Sequence, residues 1–184
     1  ESDENMAGDL NGDEVLNVLD IIILVNIILE IEQYTSAADL NGDGTANILD
    51  IVQLVNMILG PRIYNASRAE LFDSGKSLKM VADGYVGAVK IVIEHGGNFE
   101  LELSQNALVA HSVTDQNTTT MIIVAPESEL LFNYTGNFEI IEMEAANSEK
   151  LISIVMPSKT SLSSVYPNPF NPATNIIFIL AENG

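Results

Sequence analysis

Asp9-Leu-Asn11-Gly-Asp13-Glu-Val15-Leu-Asn17-Val-Leu-Asp20 returns 30 residues later as Asp39-Leu-Asn41-Gly-Asp43-Gly-Thr45-Ala-Asn47-Ile-Leu-Asp50, and each copy runs straight into an apolar stretch. A hard cation that takes about six to eight oxygens uses side chains at loop positions 1, 3 and 5, a backbone carbonyl at 7, a residue at 9 that often acts through water, and an acid at 12. Both copies supply that order. The expected ligands of one calcium ion are Asp9, Asn11, Asp13, the Val15 carbonyl, Asn17 and Asp20; those of a second are Asp39, Asn41, Asp43, the Thr45 carbonyl, Asn47 and Asp50. The alternative reading of the same residues is a pair of Asx-rich turns that cap helices. The copies differ at position 6, which is Gly44 in the second and Glu14 in the first. A non-glycine residue held at positive φ costs roughly 1 kcal/mol or more, so the first loop is expected to be the weaker one. Acids gathered in such loops repel one another until a cation neutralises them, which makes cation binding part of the folding energy.

The stretch from Leu19 to Ile31 is apolar at almost every position, so no single face of that helix can be left to water. It is too short, and too interrupted by Asp20, Asn26 and Glu30, to span a bilayer. Packing against Ile51, Val52, Leu54, Val55, Ile58 and Leu59 of the second repeat covers one stripe. Another stripe then needs the downstream domain or a separate partner, and burial in a core is the expected fate, because large exposed apolar patches are uncommon on monomers. Gly60-Pro61 stops the second helix.

The duplicated loop, with Asp at position 12 and one following helix per loop, resembles a dockerin domain over about residues 6–61. The resemblance implies a calcium-dependent module that binds cohesin domains. Its recognition positions would be Val18 and Leu19 in the first copy and Ile48 and Leu49 in the second. All four are apolar here, where many dockerins carry a hydroxyl pair.

The chain of 184 residues has 26 acids against 7 bases and a net charge of −19. That excludes nucleic acid, whose phosphates demand the opposite sign, and it suits calcium-rich, extracellular surroundings. There is no Cys, so metal and oligomerisation are the available staples. The chain opens at Glu1 without a Met, which suggests a processed mature end.

From about Arg68 the apolar period changes from helical to alternating. Leu78 to Met80, Val86 to Ile93, Phe99 to Leu103, Ala107 to Val113, Thr119 to Val124, Glu129 to Tyr134, Phe138 to Met143 and Leu151 to Met156 read as eight strands, separated by turn signals such as Asp83-Gly84 and Gly136-Asn137. Lys90, Glu94, Glu100, Glu102, Glu139 and Glu142 alternate with apolar neighbours and are expected on solvated faces. The expected fold is α+β in two parts: a dockerin-like module at 1–61, a linker at 62–75, an antiparallel β-sandwich with a loose likeness to cohesin or immunoglobulin-like domains at 76–158, and a Pro-rich segment with a terminal strand at 159–184.

Tyr166-Pro-Asn-Pro-Phe170-Asn-Pro172-Ala-Thr174, leading into Ile176-Ile-Phe178-Ile-Leu180, resembles the opening of the type 9 secretion sorting domain over about residues 164–181. That resemblance implies a bacterial cell surface or the medium. Only its first strand is expected here, with Ile176, Phe178 and Leu180 on one face and no hairpin partner, so the strand is expected to seek a sheet edge. The stiff segment at Pro167, Pro169 and Pro172 would carry it toward a neighbouring copy.

Catalysis finds little support in the sequence: the clustered carboxylates that could suggest a glycosidase pair are accounted for by the two loops. His95 and His111 are the only histidines and belong to no nucleophile or metalloprotease motif. The chain has no Trp and five Tyr, which is poor material for a carbohydrate-stacking platform. Asn65, Asn117 and Asn133 head glycosylation tripeptides, a pattern short enough to arise by chance. The expected function is a secreted structural subunit that self-associates head to tail into a fibre or surface assembly. The alternative is a docking module that binds a cohesin at the end of a larger secreted enzyme.

Overall fold

The computed structural model describes residues 6–156, together with the backbone course of 161–171 and 173–179. Two α-helices follow the two loops: α1, Val18–Ile28, and α2, Ile48–Leu59, with a single 3-10 turn at Ser36–Ala38 between them. Helix α1 ends three residues short of the expected Ile31. Leu29 caps it, Glu30 turns left-handed at φ 60, and the N–H groups of Ile31 and Glu32 return to the Asn26 carbonyl. Gly60, at φ 80, ends α2 as expected.

Nine strands then build a sandwich. The five-stranded sheet has the order β4-β7-β2-β1-β9, and the four-stranded sheet β5-β6-β3-β8. The members are β1 Arg68–Asp73, β2 Ser77–Ala82, β3 Ala88–His95, β4 Glu100–Leu103, β5 Ala107–Asp115, β6 Thr118–Pro126, β7 Leu130–Thr135, β8 Phe138–Ala146 and β9 Ser153–Val155. Pairing is antiparallel except where β9 joins β1 in parallel. Strand β1 lies inside the stretch read as a linker, 62–75. It is six residues long and buries only Ala69 and Leu71.

The inner core lies between the sheets: Leu71, Leu78, Met80 and Phe132 from one, Val89, Ile91, Ile93, Met121 and Ile123 from the other. A second core lies on the outer face of the four-stranded sheet. There Ala88, Ile122, Val124 and Ala146 pack with Ile21, Leu24, Val25, Ile48, Ile51, Val52 and Val55 of the helices. The protein is thus three layers deep, with helices over sheet over sheet. Strand β6 is buried on both faces, since Met121 and Ile123 enter one core while Ile122 and Val124 enter the other. Its first turn is polar: buried Thr119 bonds the Thr114 hydroxyl at 2.7 Å and His95 Nε2 at 2.8 Å. His95 also stacks on Phe99 at 4.5 Å, so its role is structural.

Glu94, Glu100, Glu102, Glu139 and Glu142 are exposed as expected, and half-buried Lys90 pairs with Glu142 at 2.8 Å. The C-terminal strand, β11 at Ala173–Ile179, does have a hairpin partner, contrary to expectation. It pairs antiparallel with β10, Ser161–Asn171, in a separate two-stranded sheet. The ladder skips from Tyr166 to Asn171, past the prolines, because proline has no N–H to donate. Leu180 lies outside the described residues.

Candidate metal centre

Each loop is a run of backbone N–H groups turned onto Asx side chains, and the two runs match bond for bond. Asp9 Oδ1 accepts the N–H of Gly12 at 2.8 Å and its Oδ2 that of Glu14 at 2.9 Å. Asp39 repeats this with Gly42 and Gly44, both at 2.8 Å. Asn11 and Asn41 accept the N–H groups of Asp13 and Asp43. Asp13 and Asp43 accept those of Val15 and Thr45, each at 2.9 Å. The Thr45 hydroxyl adds a second bond to Asp43, at 2.8 Å, and these bonds hold the Asp43 carboxyl below the usual carboxylate range.

Position 12 closes the loop on its own beginning. Asp20 Oδ1 accepts the Leu10 N–H and its Oδ2 the Asn17 N–H, each at 2.9 Å; Asp50 does the same with Leu40 at 2.9 Å and Asn47 at 2.8 Å. Asn17 and Asn47 are the N-caps of α1 and α2 and form capping boxes with Asp20 and Asp50. The cap reading and the cation reading of these residues are therefore not exclusive: the same Asp fixes both the loop and the first turn of its helix. Position 6 lies at positive φ in both loops, 64° at Glu14 and 94° at Gly44.

The electrostatics of the loops fit a hard cation. Asp20 and Asp50 are fully buried and Asp9 nearly so. No Lys or Arg occurs before Arg62, and the ion pairs among the described residues, Arg68 with Glu70 and Lys90 with Glu142, lie elsewhere. A buried carboxylate is costly without a cationic partner. Three N–H groups reach Asp20, from Leu10, Asn11 and Asn17, against about four lone-pair directions on a carboxylate. Among the described residues no three Asp, Glu, His or Cys side chains converge on one point. The expected donor set draws in addition on two Asn amides and a carbonyl in each loop. In the first loop, the Asn11 amide bonds Asp13 Oδ2 at 2.9 Å and the Asn17 amide bonds the Val15 carbonyl at 3.1 Å, so a bound cation would replace those two contacts.

The structure separates the two pairs of expected recognition residues. Val18 and Leu19 are exposed, whereas Ile48 is buried in the core between the helices and the sheet and Leu49 is half-buried. Two polar ties that the sequence does not announce meet at the end of β8, one from α2 and one from the segment that follows it. Asn56 Nδ2 donates to the Ser148 carbonyl at 3.0 Å, and buried Asn147 donates to the Ala66 carbonyl at 2.7 Å. Asn56, a polar residue between Val55 and Met57 of α2, is the one local hint.

A duplicated loop–helix pair with oxygen-rich Asx loops, laid on a β-sandwich, defines a calcium-type interaction module joined to a non-helical scaffold. Residues 7–59 match the family described as the dockerin type I domain, a calcium-binding interaction module that occurs on extracellular and cell-surface proteins. A solved structure similar to part of the chain is a non-cellulosomal cohesin from the hyperthermophilic archaeon Archaeoglobus fulgidus, with a TM-score of 0.36 and 10% identity over 50% of this chain and 82% of that one. No curated protein matches the chain. Among the described residues no helix is long and apolar enough to cross a membrane.

Proposed function

We propose that the chain is a secreted, non-catalytic subunit that self-associates head to tail into an extracellular fibre or surface assembly. The observation that carries this reading is the β10–β11 hairpin, which among the described residues is hydrogen-bonded to neither sheet of the sandwich. A two-stranded sheet alone is marginal in water, and strand addition to another sheet is a common way for one to gain partners. The burial of Ile48, Ile51, Val52 and Val55 of α2 in a core shared with α1 and the outer face of the four-stranded sheet supports a bracing role for the helical module. Its two loops hold one calcium ion each in this reading, through Asp9, Asn11, Asp13, the Val15 carbonyl, Asn17 and Asp20, and through Asp39, Asn41, Asp43, the Thr45 carbonyl, Asn47 and Asp50. Calcium supplies charge neutralisation there, and the loops hold the helix starts. The likeness of residues 164–181 to a type 9 sorting signal supports a cell-surface location.

Negative-stain electron microscopy of the purified chain, in millimolar calcium and after chelation, tests the proposal. Filaments that loosen on chelation support it, and single small particles in both conditions overturn it.

Exposed Val18 and Leu19 favour a second reading, in which the first repeat docks on a cohesin-like partner and the chain is part of a larger type 9-secreted enzyme. A calcium-dependent one-to-one complex with a cohesin domain would establish that function instead.

A further inference from the structure

Self-association through the tail needs an edge that accepts it, and the geometry points to β5 of a second copy as that edge, paired with β11. This inference rests on the self-association reading. The sandwich has four edge strands: β4 and β9 in one sheet, β5 and β8 in the other. Edge strands template pairing with other chains unless they are short, charged, bulged or interrupted by proline.

Three of the four are protected. Strand β4 has four residues, two of them Glu100 and Glu102. Strand β9 has three, with Pro157 two residues on. Strand β8 carries Glu139, Glu142 and Glu144, and its Ile141 is an extra residue between the pairs Val92–Glu142 and Ile93–Ile140, a bulge. Strand β5 has none of these devices. It runs nine residues, Ala107–Asp115, without proline, with unbroken register against β6 and with its one carboxylate at the last residue.

The hydrogen-bond phase of β5 follows from its neighbours. Ala125 of β6 donates its N–H to the Gly87 carbonyl, on the β3 side, at 2.7 Å. Backbone groups alternate in direction along a strand, so Thr118, Thr120, Ile122 and Val124 of β6 bond toward β5. Their partners are Asp115, Val113, His111 and Val109. The N–H and C=O groups of Ala110, Ser112 and Thr114 therefore face outward along the open edge.

The tail matches this edge in charge and length. Residues 160–181 contain no Asp, Glu, Lys or Arg, and neither do residues 107–114. Copies of a chain with net charge −19 repel one another, and neutral surfaces are where contact costs least. Strand β10 holds Pro167 and Pro169, which cannot donate to a ladder. Strand β11 is seven proline-free residues, Ala173–Ile179, bonded to β10 on one side, and its other side is the one offered to β5.

The test is Ser112→Pro, which deletes an outward N–H at a position where an edge strand tolerates proline, together with hydrogen exchange of the wild-type chain as monomer and as polymer. The expected result is wild-type filaments, a folded but monomeric Ser112→Pro chain, and Ala110 and Ser112 amides slowed by more than about a hundredfold in the polymer. Unaltered filaments from a folded Ser112→Pro chain, with those amides unprotected, overturn the edge assignment while self-association stands. A wild-type chain that stays monomeric overturns self-association itself. If Ser112→Pro fails to fold, the exchange measurement alone decides.

Discussion

Val52 of α2 and Gly87, at the entry to β3, approach so closely that a Cβ on residue 87 would stand 2.8 Å from Val52 Cγ2 and 3.1 Å from Cγ1. This is where helix and outer sheet face meet, and valine is stiff at χ1. Gly87→Ala is expected to destabilise the protein by about 1–3 kcal/mol through overpacking. Adding Val52→Ala should recover part of that loss. Thermal melts of the two single variants and the double variant measure the coupling, and strictly additive effects would show that the two residues do not interact.

Asp39→Ala with Asp50→Ala is expected to lower the melting temperature more in calcium than in chelator. At a calcium concentration about a hundredfold above the dissociation constant, binding contributes about 2.7 kcal/mol. A smaller fall, about 0.5–2 kcal/mol, should persist in chelator because Asp50 also completes the capping box of α2. Equal falls in both conditions would leave the acids a capping role only.

Glu14→Gly replaces a side chain held at φ 64 by the residue found at the same position of the second loop. Removing a left-handed non-glycine residue is worth roughly 1 kcal/mol, so calcium affinity of the first loop should rise. Titration calorimetry should read this as a narrowing of the gap between the binding constants of the two proposed sites.

Asp83 is held from its ordinary 3.8 down to about 2, first by the Ser67 hydroxyl at 2.6 Å and then by the N–H groups of Arg68 and Ser67. A depressed folded pKa stabilises the protein above the unfolded value, and that contribution is lost as pH falls through the folded one. Wild type should therefore melt above Asp83→Asn at neutral pH, and the difference should shrink below pH 3.8 and vanish near 2. A gap independent of pH would place its origin outside this carboxylate.

Phe178→Asp puts a charge into the uncharged tail and is expected to abolish filaments while leaving the melting of the sandwich unchanged. Electron microscopy beside circular dichroism separates the two effects, and unaltered polymers would remove the tail from the assembly contact.

Much of this architecture could be read from the residues because two periods are written plainly in them. The paired Asx loops dictate where α1 and α2 begin, since Asn17 and Asn47 are at once loop members and N-caps. The run Met121-Ile-Ile-Val124 announces a strand buried on both sides, although it does not say that helices form one of those sides. Strand β1 is harder to read, because Asp73-Ser-Gly75 has the composition of a loop and the strand buries only two side chains. Composition places the end of α1 too late, because apolar Ile31 continues the run and the left-handed turn at Glu30 that halts the helix has no glycine to mark it. The residues of β10 announce only a stiff extended segment, because its prolines forbid a regular ladder and the pairing passes around them.

Strand β6 presents apolar side chains to two different cores, and that removes the usual guard against misalignment. In an ordinary two-layer sheet a slip of one residue drives the apolar set into water; here Ile122 and Ile123 would merely trade compartments. Alignment must be dictated by the polar end of the strand, where buried Thr119 has hydroxyl and imidazole partners at Thr114 and His95. A displaced strand would strand those groups without bonds, at about 1–3 kcal/mol for each buried group left unsatisfied. The small cluster around Thr119 therefore serves as the index mark of the central sheet, and through Ile122 and Val124 it sets where the calcium-type module comes to rest.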